Sequence, residues 1–424
     1  MTDQYVIVGA GLAGAQAAQT LRGEGCSDPI VLIGAEPERP YERPGLSKAF
    51  LTGAEPREKL FVHPADWYAE HDVTLLTGVT ATAIDPERHL VTTEDGQQVR
   101  YTKLLLATGS TPRLLPVPGA GLDGVLTLRT LPDSERLAAR LVRGARVVVI
   151  GGGWIGLEVA AAARMAGADV TVLEAAALPL QRVLGRDVAN ILVTLHEANG
   201  VRIINGASVS QLRGTGQVEA VELADGTRLP ADIVVVGVGV WPNVDIAAAA
   251  GLDLHDGVLT DESLRTVSPD IFAAGDIANA YHPMLGRSLR IEHWANARYG
   301  GRAAAKAMLG QDVVYDRVPY FYTDQYDLGM EYRGHADPGG YDQVVFRGST
   351  ALVDGKTPSF LAFWTRDGRV LAGMNVNSWD DGEDIERLVR AGHGGRAVDL
   401  ERLADTEVPL RSVVDEVAPT VSAG

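Results

Sequence analysis

Gly9, Gly11 and Gly14 stand in the run Tyr5-Val6-Ile7-Val8-Gly9-Ala10-Gly11-Leu12-Ala13-Gly14, after a β-branched stretch and before an Ala-rich helical pattern from Ala15 to Arg22. Glycines at this spacing between a strand and a helix suit phosphate binding. The first permits a tight turn, the second lets the backbone approach a pyrophosphate, and the third lets helix and strand pack closely. The anion then meets the free N–H groups of the helix N-terminus. Glu36 ends the next apolar run, Ile30 to Ile33, about 20 residues on, where a carboxylate can accept both hydroxyls of an adenosine ribose. Together these residues imply a bound dinucleotide.

The arrangement recurs. Val147-Val148-Val149-Ile150 leads into Gly151, Gly153 and Gly156, a helical pattern follows, and a second strand from Val170 to Leu173 ends on Glu174. Hairpin signals at Asp95-Gly96 and Asp225-Gly226 precede two further apolar runs, one reaching Thr108-Gly109 and the other Gly237-Val238-Gly239. Two nucleotides are implied. Glu174 is followed by Ala175-Ala176-Ala177 with no adjacent cation, and a carboxylate repels a 2′-phosphate, so NADH is favoured over NADPH. Arg182, farther along, is the candidate exception, and it suits the NADH pyrophosphate equally well.

The elements that hold these groups must form several cores, because 424 residues exceed one domain, and 46% hydrophobic with 22% charged residues is an ordinary globular composition. A net charge of −17 argues against nucleic acid or an anionic membrane as general partner. The first strand begins by residue 5 and apolar runs such as Ile233 to Trp241 are too short to span a bilayer, so a cytoplasmic protein is expected. The single cysteine, Cys26, excludes an internal disulfide, a four-cysteine iron–sulfur site and a thiol pair that shuttles electrons, and no metal site is expected.

Between the copies of the motif and beyond them lie four other stretches of interest. A Pro-punctuated loop, Arg39 to Lys48, carries Arg43 and Lys48 into a short helix. The strand pattern Ile271 to Ala274 ends in Gly275-Asp276, placing an acid where ligands bind in open α/β sheets. A helix is expected from Glu292-His293-Trp294 to Leu309, with Arg298, Arg302 and Lys306 on one face. From Val318 aromatic-rich strands follow, with a hairpin at Asp367-Gly368, a helix near Asp384 to Arg390, and no clear periodicity from 405 to 424, expected to be a flexible tail.

In combination the two glycine motifs and the Gly275-Asp276 strand resemble the two-dinucleotide-binding-domain flavoprotein reductases. Pro319-Tyr320-Phe321-Tyr322-Thr323-Asp324-Gln325-Tyr326 and Arg43-Pro44-Gly45-Leu46-Ser47-Lys48 resemble the putidaredoxin reductase and biphenyl dioxygenase ferredoxin reductase group within them. The resemblance implies an α/β fold with two Rossmann-like domains: a discontinuous FAD domain (1–112 and 243–318), an inserted NADH domain (113–242) and a small α+β C-terminal domain (319–404). It implies FAD at Gly9, Gly11, Ala13, Gly14, Glu36, Arg43, Lys48, Ala81, Thr108, Gly109, Arg129 and Asp276, the last on the ribityl chain. Glu292, His293 and Trp294 would open a helix aimed at the flavin pyrimidine edge. NADH falls to Gly151, Gly153, Ile155, Gly156, Glu174, Arg182, Gly237 and Gly239.

The resemblance also implies the activity, in which electrons pass from NADH through FAD to a small acidic [2Fe–2S] ferredoxin serving a cytochrome monooxygenase or a ring-hydroxylating dioxygenase. Flavin takes two electrons together and releases them singly, so no side chain need do acid–base work. Lys48 and Glu158 match family positions near flavin N5, although an acid in the first turns of a helix also serves its dipole. Trp154 matches an aromatic that covers the nicotinamide pocket, with a packing role the competing reading. Tyr322 stands where the family commonly has Trp. Arg298, Arg302 and Lys306 would dock the ferredoxin, against the plainer reading of a solvated helix face. A monomer or weak dimer is expected. Rubredoxin and monodehydroascorbate reductases share the nucleotide motifs and differ in acceptor, and an apoptosis-inducing-factor-like NADH-responsive binding protein is the alternative from another class.

Overall fold

The computed structural model of the chain describes residues 3–353 and 355–417. Two compact units account for its contacts. The first comprises Met1–Arg43, Pro56–Thr111 and Val240–Pro319; the second comprises Pro44–Glu55, Pro112–Gly239 and Tyr320–Gly424.

The first unit is built on a five-stranded parallel sheet in the order Ile271–Ala273, Lys103–Leu106, Tyr5–Val8, Ile30–Gly34, Val73–Thr77. The central strands are buried on both faces, as their unbroken apolar runs require. Val8 lies level with Ile33 and Leu106, and Leu106 with Ala273, so the strands end together and their loops emerge at one edge. The helix Leu12–Gly23 lies against the long helix Trp294–Met308 through small residues: a β-carbon on Gly301 would come within 2.2 Å of the Ala13 carbonyl oxygen.

The second unit repeats the plan with a parallel sheet in the order Arg202–Asn205, Asp169–Glu174, Arg146–Ile150, Ile233–Val236, Val125–Leu126. A five-stranded antiparallel sheet, Tyr320–Gln325, Leu328–Gly334, Arg369–Val376, Phe360–Arg366 and Gln343–Arg347 in spatial order, shares its core. Buried Trp364 ties the antiparallel sheet to the helix Gln181–Ala198, its indole N–H donating to the Leu184 carbonyl at 3.0 Å. The hairpins expected at Asp95-Gly96, Asp225-Gly226 and Asp367-Gly368 all form.

The 405–424 stretch differs from expectation. Leu410–Val417 is a helix with Leu410, Val413 and Val414 buried, and two ion pairs, Arg387–Asp415 and Arg411–Asp384, join it to the helix Gly382–His393. Eight residues give too short a window for periodicity to declare itself, and tertiary packing supplies the stability that the isolated segment lacks. Residues 418–424 of that expected tail lie outside the described residues. Among the described residues no helix is long and apolar enough to cross a membrane and no cluster of metal-ligating side chains forms.

Candidate functional site

The two glycine turns are built alike. Gly9 has φ +119°, and Gly14 lies so close that a β-carbon there would fall 2.1 Å from the Gly9 carbonyl oxygen; in the second turn Gly151 has φ +105° and the Gly156 position repeats the 2.1 Å approach. The middle glycines are different. A β-carbon on Gly11 or Gly153 would meet nothing within 4 Å, leaving open space in front of the backbone. These glycines are also the N-caps of Leu12–Gly23 and Trp154–Met165, which have no side-chain cap and no acid in the first turn. By contrast Leu131–Ala138 opens with a complete Thr130–Asp133 capping box, to which the Arg129 N–H also donates. Free N–H groups behind an open glycine cradle fit a dinucleotide pyrophosphate in both units.

The acids beside the turns are partly engaged. Glu36 accepts from the Arg43 guanidinium at 2.6 Å and from the Tyr41 hydroxyl. Glu174 accepts from the Gly152 N–H at 2.8 Å and the Ala176 N–H at 2.7 Å, so it braces the turn it was expected to complement. Each carboxylate oxygen has further lone pairs for a ribose hydroxyl. At the neighbouring strand ends the Asn243 side chain donates to the Thr108 carbonyl, the Thr108 hydroxyl donates to the Asn243 carbonyl, and the Gly109 carbonyl accepts from the Asn243 N–H. The Ser110 hydroxyl donates to Asp276 at 2.6 Å. Ala13 is buried, Ala81 opens the strand Ala81–Asp85, and Gly237 packs on Gly156 while Gly239 has φ +102°. Ile155 and Arg182 are exposed.

The helix expected from Glu292 begins at Trp294, with His293 as its N-cap in extended conformation. Glu292 is exposed and paired with Arg290, and the Trp294 indole N–H donates to Glu42 at 3.0 Å. The basic face is less free than its spacing suggested. Arg302 donates to Gln16 at 2.7 Å, Lys306 pairs with Glu24 at 3.2 Å, and the Arg298 guanidinium lies 5.0 Å over the Trp294 ring. Close approach to the helix Leu12–Gly23 and its C-cap Glu24 supplies the partners of Arg302 and Lys306.

Glu158 has a different position from that of a solvated dipole acid. It is 3% exposed and pairs with Lys48 at 2.6 Å. The Thr323 hydroxyl donates to Oε1 at 2.6 Å and the Ser47 hydroxyl donates to Oε2. Behind Thr323 lie Gln325 and His196, both buried. The Lys48 ammonium is 5.4 Å from the Tyr322 ring centre, and Trp154 packs against Phe321 with ring centres 5.0 Å apart. The sequence singled out neither His196, Asn243 nor Ser110, and it held Ser47, Thr323 and Gln325 only as members of the two family-like runs, with no role of their own. One signal for two of them existed: Thr323 and Gln325 alternate with Tyr322 and Asp324, so they share the strand's buried face with Phe321.

The chain as a whole has close relatives. A family model described as pyridine nucleotide-disulphide oxidoreductase matches residues 3–301, and a reductase C-terminal model matches residues 320–414. The chain belongs to the pyridine nucleotide-disulphide oxidoreductase family. Among its relatives, the ferredoxin–NAD(+) reductase component of an anthranilate 1,2-dioxygenase system from Burkholderia cepacia is 40% identical over 97% of this chain and 99% of its own. Putidaredoxin reductase from Pseudomonas putida is 38% identical over 97% of both chains. The crystal structure of a covalent putidaredoxin reductase–putidaredoxin complex superposes with TM-score 0.91 at 37% identity, covering 98% of this chain and 99% of that one. This family member is an oxidoreductase of the ferredoxin–NAD(P) reductase type, with FAD and NAD(H) as cofactors.

Proposed function

We propose that this reductase carries electrons from NADH through FAD to a small acidic [2Fe–2S] ferredoxin that feeds a cytochrome monooxygenase or a ring-hydroxylating dioxygenase. One observation carries the reading: the chain matches ferredoxin reductases over nearly its whole length, yet its only cysteine, Cys26, leaves no thiol pair to receive electrons within the protein. Bound FAD supplies two-electron acceptance and one-electron release.

The protein's own residues bind and orient. In the FAD domain (1–112 and 243–318) the Gly9–Gly11 turn and the bare helix N-terminus hold the pyrophosphate, Glu36 the adenosine ribose, and Asp276 the ribityl chain, with Ser110 fixing its carboxylate. In the NADH domain (113–242) Gly151–Gly156 repeats the cradle and Glu174 disfavours a 2′-phosphate. Lys48 and Glu158 face the N5 edge of the flavin, Trp154 borders the nicotinamide, and Tyr322 takes the place of the family's Trp. The side of Trp294–Met308 bearing Arg298, Arg302 and Lys306 receives the ferredoxin, with the protein a monomer or weak dimer.

Anaerobic titration of the FAD-loaded protein with NADH, followed by turnover with a [2Fe–2S] ferredoxin, a rubredoxin and monodehydroascorbate, tests the assignment. Ferredoxin reduced far faster than the other acceptors and than oxygen is the expected result. Ferredoxin reduced no faster than oxygen overturns it and favours an NADH-responsive binding protein.

A further inference from the structure

Behind Glu158 the second unit buries a chain of polar side chains whose hydrogen-bond direction follows from donor counting. The Thr323 hydroxyl has one proton, and it goes to the acceptor-only Glu158 carboxylate at 2.6 Å. Thr323 Oγ1 must therefore accept from Gln325, which turns the amide nitrogen toward it at 3.2 Å and the amide oxygen toward His196. That oxygen lies 2.7 Å from His196 Nε2, so Nε2 carries the proton, and Nδ1 is left to accept from the Tyr326 hydroxyl at 3.3 Å. His196 and Thr323 have no solvent exposure, Gln325 is 1% exposed, and burial lowers the imidazole pKa. Every link thus donates toward one carboxylate, the partner of Lys48.

We propose that Gln325 and His196 are positioning residues for the reductase reaction, fixing the Glu158 carboxylate and through it the Lys48 ammonium. This rests on the reading that the Lys48–Glu158 pair faces the flavin. With the chain intact, Thr323 cannot turn its proton elsewhere, because its other side is occupied by the Gln325 N–H. Without it, Thr323 is free to rotate and the Lys48–Glu158 pair loses its fixed orientation.

The test uses the FAD-loaded full chain and four variants. Gln325→Met removes both polar ends at similar length, Thr323→Val removes the hydroxyl with little change of shape and keeps the test alive should Gln325→Met fail to fold, His196→Gln preserves a donor near Nε2, and Lys48→Met removes the ammonium. In 15N-histidine spectra the resonances lost in His196→Gln identify His196, expected as the Nε2–H tautomer and displaced in Gln325→Met. Anaerobic flavin reduction at saturating NADH is expected to slow about tenfold in Gln325→Met, Thr323→Val and Lys48→Met with NADH affinity unchanged, and to stay within about twofold of wild type in His196→Gln. An Nδ1–H or doubly protonated His196 overturns the chain's direction. Normal flavin reduction in Gln325→Met and Thr323→Val alongside a slowed Lys48→Met overturns the positioning role and leaves the Lys48–Glu158 reading standing. Normal reduction in Lys48→Met removes that reading, and the positioning role with it.

Discussion

Glu174 accepts a hydrogen bond from the Gly152 N–H at 2.8 Å, so the acid that ends the second strand of its sheet also braces the glycine turn beside it. A β-carbon on Gly152 would fall 2.9 Å from that same carboxylate oxygen, which explains glycine at a position outside the usual three. Glu174→Ala is expected to narrow the preference for NADH over NADPH and to cost about 1–2 kcal/mol of stability through the orphaned Gly152 and Ala176 N–H groups. The kcat/KM ratio for the two nucleotides, measured beside a denaturant titration, checks both. An unchanged ratio removes Glu174 as the selector.

The glycines of one motif are expected to fail differently. Gly14→Ala drives a methyl into backbone at 2.1 Å and is expected to cost about 3 kcal/mol, whereas Gly11→Ala enters open space, leaves the fold near wild-type stability and weakens FAD retention. Denaturation of the apoprotein separates the first from the second, and FAD release from the holoprotein measures the latter. Equal stability losses would contradict the geometry.

Lys48→Met leaves the Glu158 carboxylate buried without its counter-charge, and an expected loss of about 3 kcal/mol follows from breaking one side of a buried pair. The Ser47 and Thr323 donors remain and limit the loss. Urea unfolding at neutral pH reads it.

Burial lowers the pKa of His196 below the 6.5 of the unfolded chain, and it does the same for His63 in the first unit. Below that value the unfolded state binds the proton more readily than the folded one. Stability is therefore full above pH 6.5 and falls as pH drops toward the folded pKa, by at most about 1.4 kcal/mol per pH unit for each histidine. His196→Gln is expected to reduce this acid slope, and melting curves across the range would show it. A slope identical to wild type would mean that His196 accepts its proton in the folded state.

Charge reversal at Arg298, the member of the basic face whose guanidinium lies over the Trp294 ring, should weaken ferredoxin-dependent turnover at low salt while ferricyanide reduction persists. Arg302→Glu tests the same surface less cleanly, because it also breaks the bond to Gln16. Equal losses with both acceptors would argue against docking there.

The sequence by itself determined the two glycine turns that fit a dinucleotide. Their turn glycines, β-branched strands and terminal acids follow from local backbone geometry, and strand and helix patterns around Gly9 and Gly151 repeat within a few residues of where the structure places them. The same local character made the three hairpins legible. Only the tertiary structure decided what surrounds Glu158, because Ser47-Lys48, Glu158 and Thr323 come from three separate stretches of chain and no short-range pattern links them. It likewise tied Arg302 to Gln16 and drew Leu410–Val417 into a packed helix. Spacing along the chain encodes which face a side chain takes, whereas the partner it finds there depends on which distant element packs against that face.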